Sequence, residues 1–174
     1  SGVDYFLLKI NSNNNDIAWV RQFNANTNTH SQIMVRPDGN INMILDLGGN
    51  YSLYDIETTD GSKIWNKDFT NQRITDLHVS EYGIELICDK NYYVTVDVDP
   101  SASVKNISGN DVYIIFLNLN GDFIDVKQFE KPTDGDILFN KITTDIDGKY
   151  YVSGVFKSTV DFDPSNNIYN LNSE

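Results

Sequence analysis

The sequence is poor in the residues from which helices, disulfides and Cys/His metal sites are built. Its 174 residues include three alanines, two histidines and one cysteine. So few alanines disfavour a helical bundle, because alanine is the strongest helix former. One cysteine excludes an internal disulfide, and it offers no zinc or haem spacing with the distant His30 and His78. Cys88 lies in the apolar run 84–88, which predicts a buried structural thiol.

Long apolar runs and positive charges are also scarce. No stretch approaches the ~20 apolar residues of a membrane helix, so we expect no membrane insertion. Thirteen lysines and arginines face 25 aspartates and glutamates, which gives a formal net charge of -12. This balance disfavours nucleic acid and anionic membranes as partners.

The abundant residues favour strands and turns. There are 18 isoleucines, 22 asparagines and 20 aspartates, against only five glutamates. Isoleucine is enriched in strands, whereas asparagine and aspartate favour turns over helix interiors. The composition therefore predicts an all-β protein.

Three segments of the chain align with one another. They end at Phe23, Phe69 and Phe129, and eight residues earlier stand Asn15, Gly61 and Gly121. The dipeptides Asn14-Asn15, Asp60-Gly61 and Asn120-Gly121 suit two-residue turns with positive φ, so each segment is predicted to be a tight β-hairpin.

A second hairpin follows each of these segments. Its turn falls at 38–39, 81–83 and 147–148, between candidate strands at 31–35 and 41–47, 74–79 and 84–88, and 138–144 and 150–156. We therefore predict three repeats of about four antiparallel strands, at 1–50, 51–110 and 111–174. The start and the end of the chain match in repeat phase, which leads us to expect a longer array or completion by another chain.

Repeats two and three end in similar tails. These are Thr95-Val-Asp-Val-Asp-Pro100 and Thr159-Val-Asp-Phe-Asp-Pro164; repeat one has none. Together with Gly148-Lys-Tyr-Tyr-Val-Ser-Gly-Val-Phe156 and Asp111-Val-Tyr-Ile-Ile-Phe-Leu117, they resemble the bacterial SBBP-type repeats, which form seven-bladed β-propellers. The segment from Tyr51 to Trp65 is also similar to a blade of quinoprotein-type propellers. Asp125 departs from the pattern, because Trp19 and Trp65 occupy its position in the other repeats.

The SBBP resemblance implies a β-propeller-like array of about three four-stranded antiparallel blades, in a bacterial secreted or surface protein. The expected function is a non-enzymatic extracellular binding, adhesion or scaffold module for a protein or glycan, which self-associates or continues in further repeats. The alternative is a propeller hydrolase or lyase acting on polysaccharide. Such an enzyme needs two carboxyl groups across a cleft, and 20 aspartates do not single out a pair.

Calcium is the one metal that the sequence suggests. Asp97 and Asp99 are two residues apart on a candidate strand, so their side chains share a face, and Asp161 and Asp163 repeat the arrangement. The competing interpretation is that each pair caps a strand exit, with the proline ending the strand. Because each pair supplies few ligands, we expect the tails to be mainly structural.

The remaining motifs favour structural roles. The run Asp145-Ile-Asp-Gly148 fits a hairpin turn better than a calcium loop, because the later acidic ligands are missing. Trp19 and Trp65 share one phase, which predicts packing between sheets rather than ligand stacking. No nucleophile elbow, phosphate loop or zinc helix is present, so the sequence assigns no catalytic residue and no organic cofactor.

Overall fold

The structure is a computed structural model that describes residues 3–25, 31–89, 95–109 and 111–174. Its regular elements in these ranges are all β-strands, joined by turns and bends. The all-β prediction is therefore confirmed. The described residues include no helix that could cross a membrane.

The chain begins with a two-stranded antiparallel hairpin. Its strands are β1 (Val3–Ile10) and β2 (Ile17–Ala25), paired from Val3 opposite Ala25 to Ile10 opposite Ile17.

A four-stranded antiparallel meander follows. Its strands, in the order β3-β4-β5-β6, are β3 (Ser31–Val35), β4 (Ile41–Asp46), β5 (Asn50–Ile56) and β6 (Lys63–Thr70). We call it the first sheet. The turn from β4 to β5 is closed by the Asp46 carboxylate, which accepts the N–H groups of Gly48 and Gly49 at 2.8 and 3.1 Å.

The second sheet has the same order with one insertion. Its segment contains β7 (Arg73–Val79), β8 (Ile84–Asp89), β9 (Val96–Asp97), β10 (Asn106–Ile107), β11 (Asp111–Leu117) and β12 (Phe123–Glu130). The sheet order is β12-β11-β8-β7, while β9 and β10 form a separate small hairpin.

The chain ends with two more hairpins. The third sheet pairs β13 (Asp136–Thr144) with β14 (Tyr150–Lys157), and β15 (Thr159–Asp161) pairs with β16 (Asn170–Asn172). The pair β15–β16 repeats β9–β10.

The sheets are offset by one hairpin from the sequence repeats. The repeat boundaries at 50/51 and 110/111 fall at the starts of β5 and β11, which are inner strands of complete sheets. Each complete sheet thus combines the second hairpin of one repeat with the first hairpin of the next. The described residues form two four-stranded sheets, rather than three, with a two-stranded half at each end.

The first-hairpin turns have the predicted backbone but not the predicted length. Asn15, Gly61 and Gly121 have φ values of 59°, 74° and 75°, whereas their preceding residues are not among those with positive φ. A two-residue turn of type I′ needs positive φ at both positions. The chain instead uses longer loops, in which Gly61 N–H donates to Glu57 O and Gly121 N–H donates to Asn118 O.

Successive sheets pack face to face through three apolar clusters. The β1–β2 hairpin covers the first sheet through Leu7 and Trp19, against Met43, Leu45 and Ile56. The next cluster joins the first and second sheets, and the last joins the second and third sheets. Neighbouring residues of β4 belong to different clusters, because alternate side chains of a strand point to opposite faces.

The first strands of the three sheets are linked by side chains. Gln32 of β3 accepts the N–H of Leu77 on β7 at 3.0 Å, and Asp76 of β7 accepts the N–H of Ile142 on β13 at 3.0 Å. Both N–H groups follow β-bulges, at Ile74/Asp76 and Phe139/Lys141. A side chain of each first strand therefore accepts a hydrogen bond from an N–H group on the outer edge of the next sheet's first strand.

Candidate functional sites

The predicted calcium residues lie in two hairpins of the same design. In the first, Asp97 Oδ1 accepts the N–H groups of Asp99 at 3.1 Å and Lys105 at 2.8 Å. Asp99 in turn accepts the N–H of Ser101 at 2.9 Å. The Asp97 carboxylate thus holds both ends of the β9–β10 loop.

The second hairpin repeats these bonds. Asp161 Oδ1 accepts the N–H groups of Asp163 at 3.0 Å and Tyr169 at 2.8 Å, and Asp163 accepts the N–H of Ser165 at 2.8 Å. Hydrogen bonds with the side chain and the backbone of Ser165 lower the pKa of Asp163. Every bond is of the kind expected when an aspartate closes a turn.

Within residues 3–25, 31–89, 95–109 and 111–174, no group of three or more His, Cys, Asp and Glu side chains is arranged to hold an ion. Calcium at the two hairpins remains a prediction. In the 145–148 segment, Asp145 Oδ1 accepts the N–H groups of Asp147 and Lys149, both at 2.9 Å, as a hairpin turn requires.

The tryptophans pack between sheets, as predicted. Trp19 of β2 is buried, and a Cβ added to Gly61 in the first sheet would lie 2.7 Å from its ring. Trp65 of β6 repeats the contact with Gly121 in the second sheet, at 2.9 Å. At these two junctions an indole therefore covers a turn glycine of the next sheet.

Asp125 occupies the position that Trp19 and Trp65 hold in the other repeats, and a pocket lies beside it. The pocket has a volume of about 210 Å³ and lies beside β14. It is lined by Tyr82, Glu85, Phe116, Leu117, Ile124, Asp125, Lys127 and Tyr150. The Lys127 ammonium lies 2.7 Å from the Asp125 carboxylate and lowers its pKa.

Glu85 is the most perturbed acid of this pocket. Its side chain is 1% exposed, and its Oε2 atom has no hydrogen-bond partner among the described residues. Burial raises the pKa of Glu85 to about 7, although a hydrogen bond with Tyr150 lowers it in part. Glu85 was not among the predicted site residues. The available signal was a single acid within the otherwise apolar run 84–88.

His78 does not line any of the sites described above. His78 Nε2 lies 3.1 Å from Thr144 Oγ1, and burial lowers the pKa of the ring. His30 lies outside the described residues.

A polar cleft lies between the second and third sheets. It measures about 830 Å³ and is lined by Ser108, Gly109, Asp111, Gln128, Glu130, Lys131, Pro132, Thr133, Gly135 and Asp136. We call it the acidic cleft, because Asp111, Glu130 and Asp136 outnumber its one cation, Lys131.

The acidic cleft is held together by its own polar groups. Asp111 is 4% exposed and accepts a hydrogen bond from the Gln128 amide. Lys131 Nζ lies 3.3 Å from both Asp136 Oδ1 and the nearby Asp89 Oδ1. One ammonium thus joins the end of β8 to the start of β13. The carboxylates of Asp111 and Asp136 are thus held in place before any ligand arrives.

Comparison with known proteins gives no relative. No protein-family model matches the chain, and no significant match occurs among curated proteins or solved structures.

Proposed function

We propose that the chain is a non-enzymatic binding or scaffold module with blades arranged as in a β-propeller. The acidic cleft carries this proposal. Its volume of about 830 Å³ lies within the range of ligand sites. A hydrogen bond holds the Asp111 carboxylate, and an ion pair holds that of Asp136. The partner class that fits is a protein segment rich in lysine or arginine, because the cleft and the whole chain are negatively charged.

The contacts between first strands support the propeller arrangement. In a propeller, the sheets stand around a common centre, so one strand of each sheet must lie beside its counterparts. The bonds from Gln32 to β7 and from Asp76 to β13 join such counterparts in succession. The similarity to SBBP-type repeats and the disulfide-free, asparagine-rich composition support a bacterial secreted or surface protein.

The binding proposal is tested by titration calorimetry with an oligolysine peptide. The wild-type chain should bind it, and the affinity should fall as salt rises. Glu130→Gln with Asp136→Asn should weaken binding about tenfold, or about 1.4 kcal/mol. Asp134→Asn, next to the cleft but exposed and not part of its lining, is the matched control. Unchanged affinity in the double variant would refute the assignment. Binding of a neutral oligosaccharide at any salt concentration would instead identify a glycan module.

One observation favours a glycoside hydrolase or lyase as the second candidate. Glu85 and Asp125 line one pocket, and their pKa values are moved in opposite directions, as in acid–base pairs of such enzymes. However, the pocket holds about 210 Å³, which is below the usual range for a ligand site. Release of reducing ends from a polysaccharide panel, abolished by Glu85→Gln, would establish the enzyme.

A further inference from the structure

The strand β14 resembles an interior strand of a sheet, but no described strand pairs with its outer edge. In the second sheet, β8 lies between β7 and β11, and all of its residues are buried. Its counterpart β14 pairs with β13 alone among the described strands. Tyr151 and Val155 of β14 are 56% and 58% exposed. An apolar strand edge of this kind readily pairs with a further strand.

The strand that β14 lacks is of the same type as β1. The strands β1, β5 and β11 share one register, since Tyr5, Tyr51 and Val112 lie opposite Phe23, Phe69 and Phe129. They also share a bulge near their ends, at Lys9/Ile10, Asp55/Ile56 and Phe116/Leu117. Both β5 and β11 have a neighbour on each side, whereas β1 pairs with β2 alone in the described structure. Phe6 of β1 is 70% exposed, but the equivalent Tyr113 is fully buried.

We propose that β14 of one copy pairs with β1 of a second copy and completes a four-stranded sheet. The two complete sheets define one register, with Ile41 opposite Ile56 and Ile84 opposite Leu117. Transferred to the new pair, this register places Tyr150 opposite Ile10, Val152 opposite Leu8 and Gly154 opposite Phe6. An aromatic side chain across from a strand glycine covers the backbone that the glycine exposes.

The junction between sheets provides independent evidence for this pairing. The turn position occupied by Gly61 and Gly121 is Asn15 in β1–β2, and the position of Trp19 and Trp65 is Asp125 in β12. Pairing of β1 with β14 brings Asn15 of the second copy to Asp125. An indole would collide with the asparagine side chain there, whereas a carboxylate leaves room and accepts its amide hydrogen bond.

An ion pair between neighbouring sheets also has an equivalent at this junction. At the preceding junction, Lys67 Nζ lies 3.3 Å from the carboxylate of Asp122, the residue after Gly121. The equivalent residues are Lys127 and, after Asn15, Asp16. The proposed pairing therefore forms an ion pair between Lys127 and Asp16 of the second copy, and the hairpin turn fills the 210 Å³ pocket.

Two copies of the chain are expected to complete a closed ring of blades. The described residues of each chain form two complete sheets and two halves, so a pair of chains makes six four-stranded sheets. Closed propellers have four to eight blades, and one chain closing on itself would have only three. The register rests on the described strand pairing, and closure after two copies rests also on the proposed propeller arrangement.

The mass in solution tests the assembly. Sedimentation velocity of the 174-residue chain should show a species of twice 19.8 kDa that dissociates on dilution. Phe6→Asp in β1 and Val155→Asp in β14 should each give monomers, because each disables one edge. A mixture of the two variants should form dimers again, since one intact junction remains. Ile146→Asp, at a residue 90% exposed in a turn, is the control and should stay dimeric. Circular dichroism verifies that each variant retains its strands.

Cross-linking tests the register. On oxidation, Leu8→Cys with Val152→Cys should give a covalent dimer, and Leu8→Cys with Val155→Cys should not. A monomer at all concentrations, or a dimer that survives Phe6→Asp, would overturn the proposal. An internal cross-link within one chain, or open polymers in place of dimers, would overturn the two-copy ring.

Discussion

The carboxylate of Asp76 accepts the backbone N–H of Ile142 at 3.0 Å, across the boundary between the second and third sheets. Asp76 is 2% exposed, and its other oxygen is bonded by the ammonium of Lys141. The same kind of bond occurs at the preceding junction, where the N–H of Leu77 donates to the side chain of Gln32. The cohesion between neighbouring sheets thus includes a polar contact that recurs at one position of the repeat.

Asp76→Ala should destabilise the fold by about 1–3 kcal/mol, because the N–H of Ile142 loses its acceptor in the interior. Gln32→Ala should have an effect of the same sign at the preceding junction. The measurement is urea unfolding followed by circular dichroism, with the exposed Asp134→Ala as the control. An Asp76→Ala variant as stable as this control would show that the link contributes nothing.

Glu85 should make stability depend on pH. Its folded-state pKa of about 7 lies above the ordinary value of 4.5, so the folded chain binds the proton more tightly than the unfolded chain does. The free energy of unfolding should therefore fall as pH rises from about 4.5 to about 7, by about 3 kcal/mol in total.

Glu85→Gln should remove most of this slope, since the amide stays neutral at every pH. Urea midpoints for both proteins between pH 4 and 8 provide the measurement. The variant should gain most at pH 8 and little at pH 4. Parallel pH profiles would show that Glu85 is ionised in the folded state at an ordinary pKa.

Gly121→Ala should cost more stability than Gly39→Ala. Both glycines have positive φ, 75° and 96°, so each substitution adds a backbone cost of about 1–2 kcal/mol. A Cβ at Gly121 would also lie 2.9 Å from the Trp65 ring, whereas one at Gly39 meets nothing within 4 Å. The resulting overpacking adds about 1–3 kcal/mol. Differential scanning calorimetry compares the two, and equal melting temperatures would contradict the indole–glycine contact.

The hairpin at Asp97 should depend on its hydrogen bonds rather than on calcium. Asp97→Ala removes the acceptor for two N–H groups and should cost about 1 kcal/mol or more, whereas Asp97→Asn keeps an acceptor and should cost less. Thermal melts with calcium and with a chelator should coincide. A chelator-induced drop of several degrees, abolished by Asp161→Asn with Asp163→Asn, would instead establish a calcium site.

Strand positions could be predicted because they depend on local signals. The strand predicted at 31–35 matches β3, and the one predicted at 84–88 matches β8 with one residue more, Asp89. The grouping of hairpins into sheets was missed, because it depends on whether a connection turns back or crosses to another sheet. Gly48 and Gly49, both with positive φ, allow β4 to turn directly into β5.

The candidate sites were less accessible from sequence than the strands. Glu85 and Asp111 are distinguished by burial, and their strands, β8 and β11, pair with each other across the β9–β10 insertion. By contrast, the aspartates at 97, 99, 161 and 163 were found because a short repeated motif contains them. Their hydrogen bonds are to nearby backbone, so local sequence was sufficient to suggest a turn as well as a metal.

The position of Cys88 makes its thiol a built-in probe for the opening of the second sheet. Its side chain is fully buried in β8, with Ile74 opposite on one side and Tyr113 on the other. Burial also raises the pKa of the thiol well above its ordinary value, so the reactive thiolate is suppressed until the strands separate. Because the chain has no other cysteine, the rate at which a thiol reagent labels the native protein reports the opening of this one sheet, without an engineered probe.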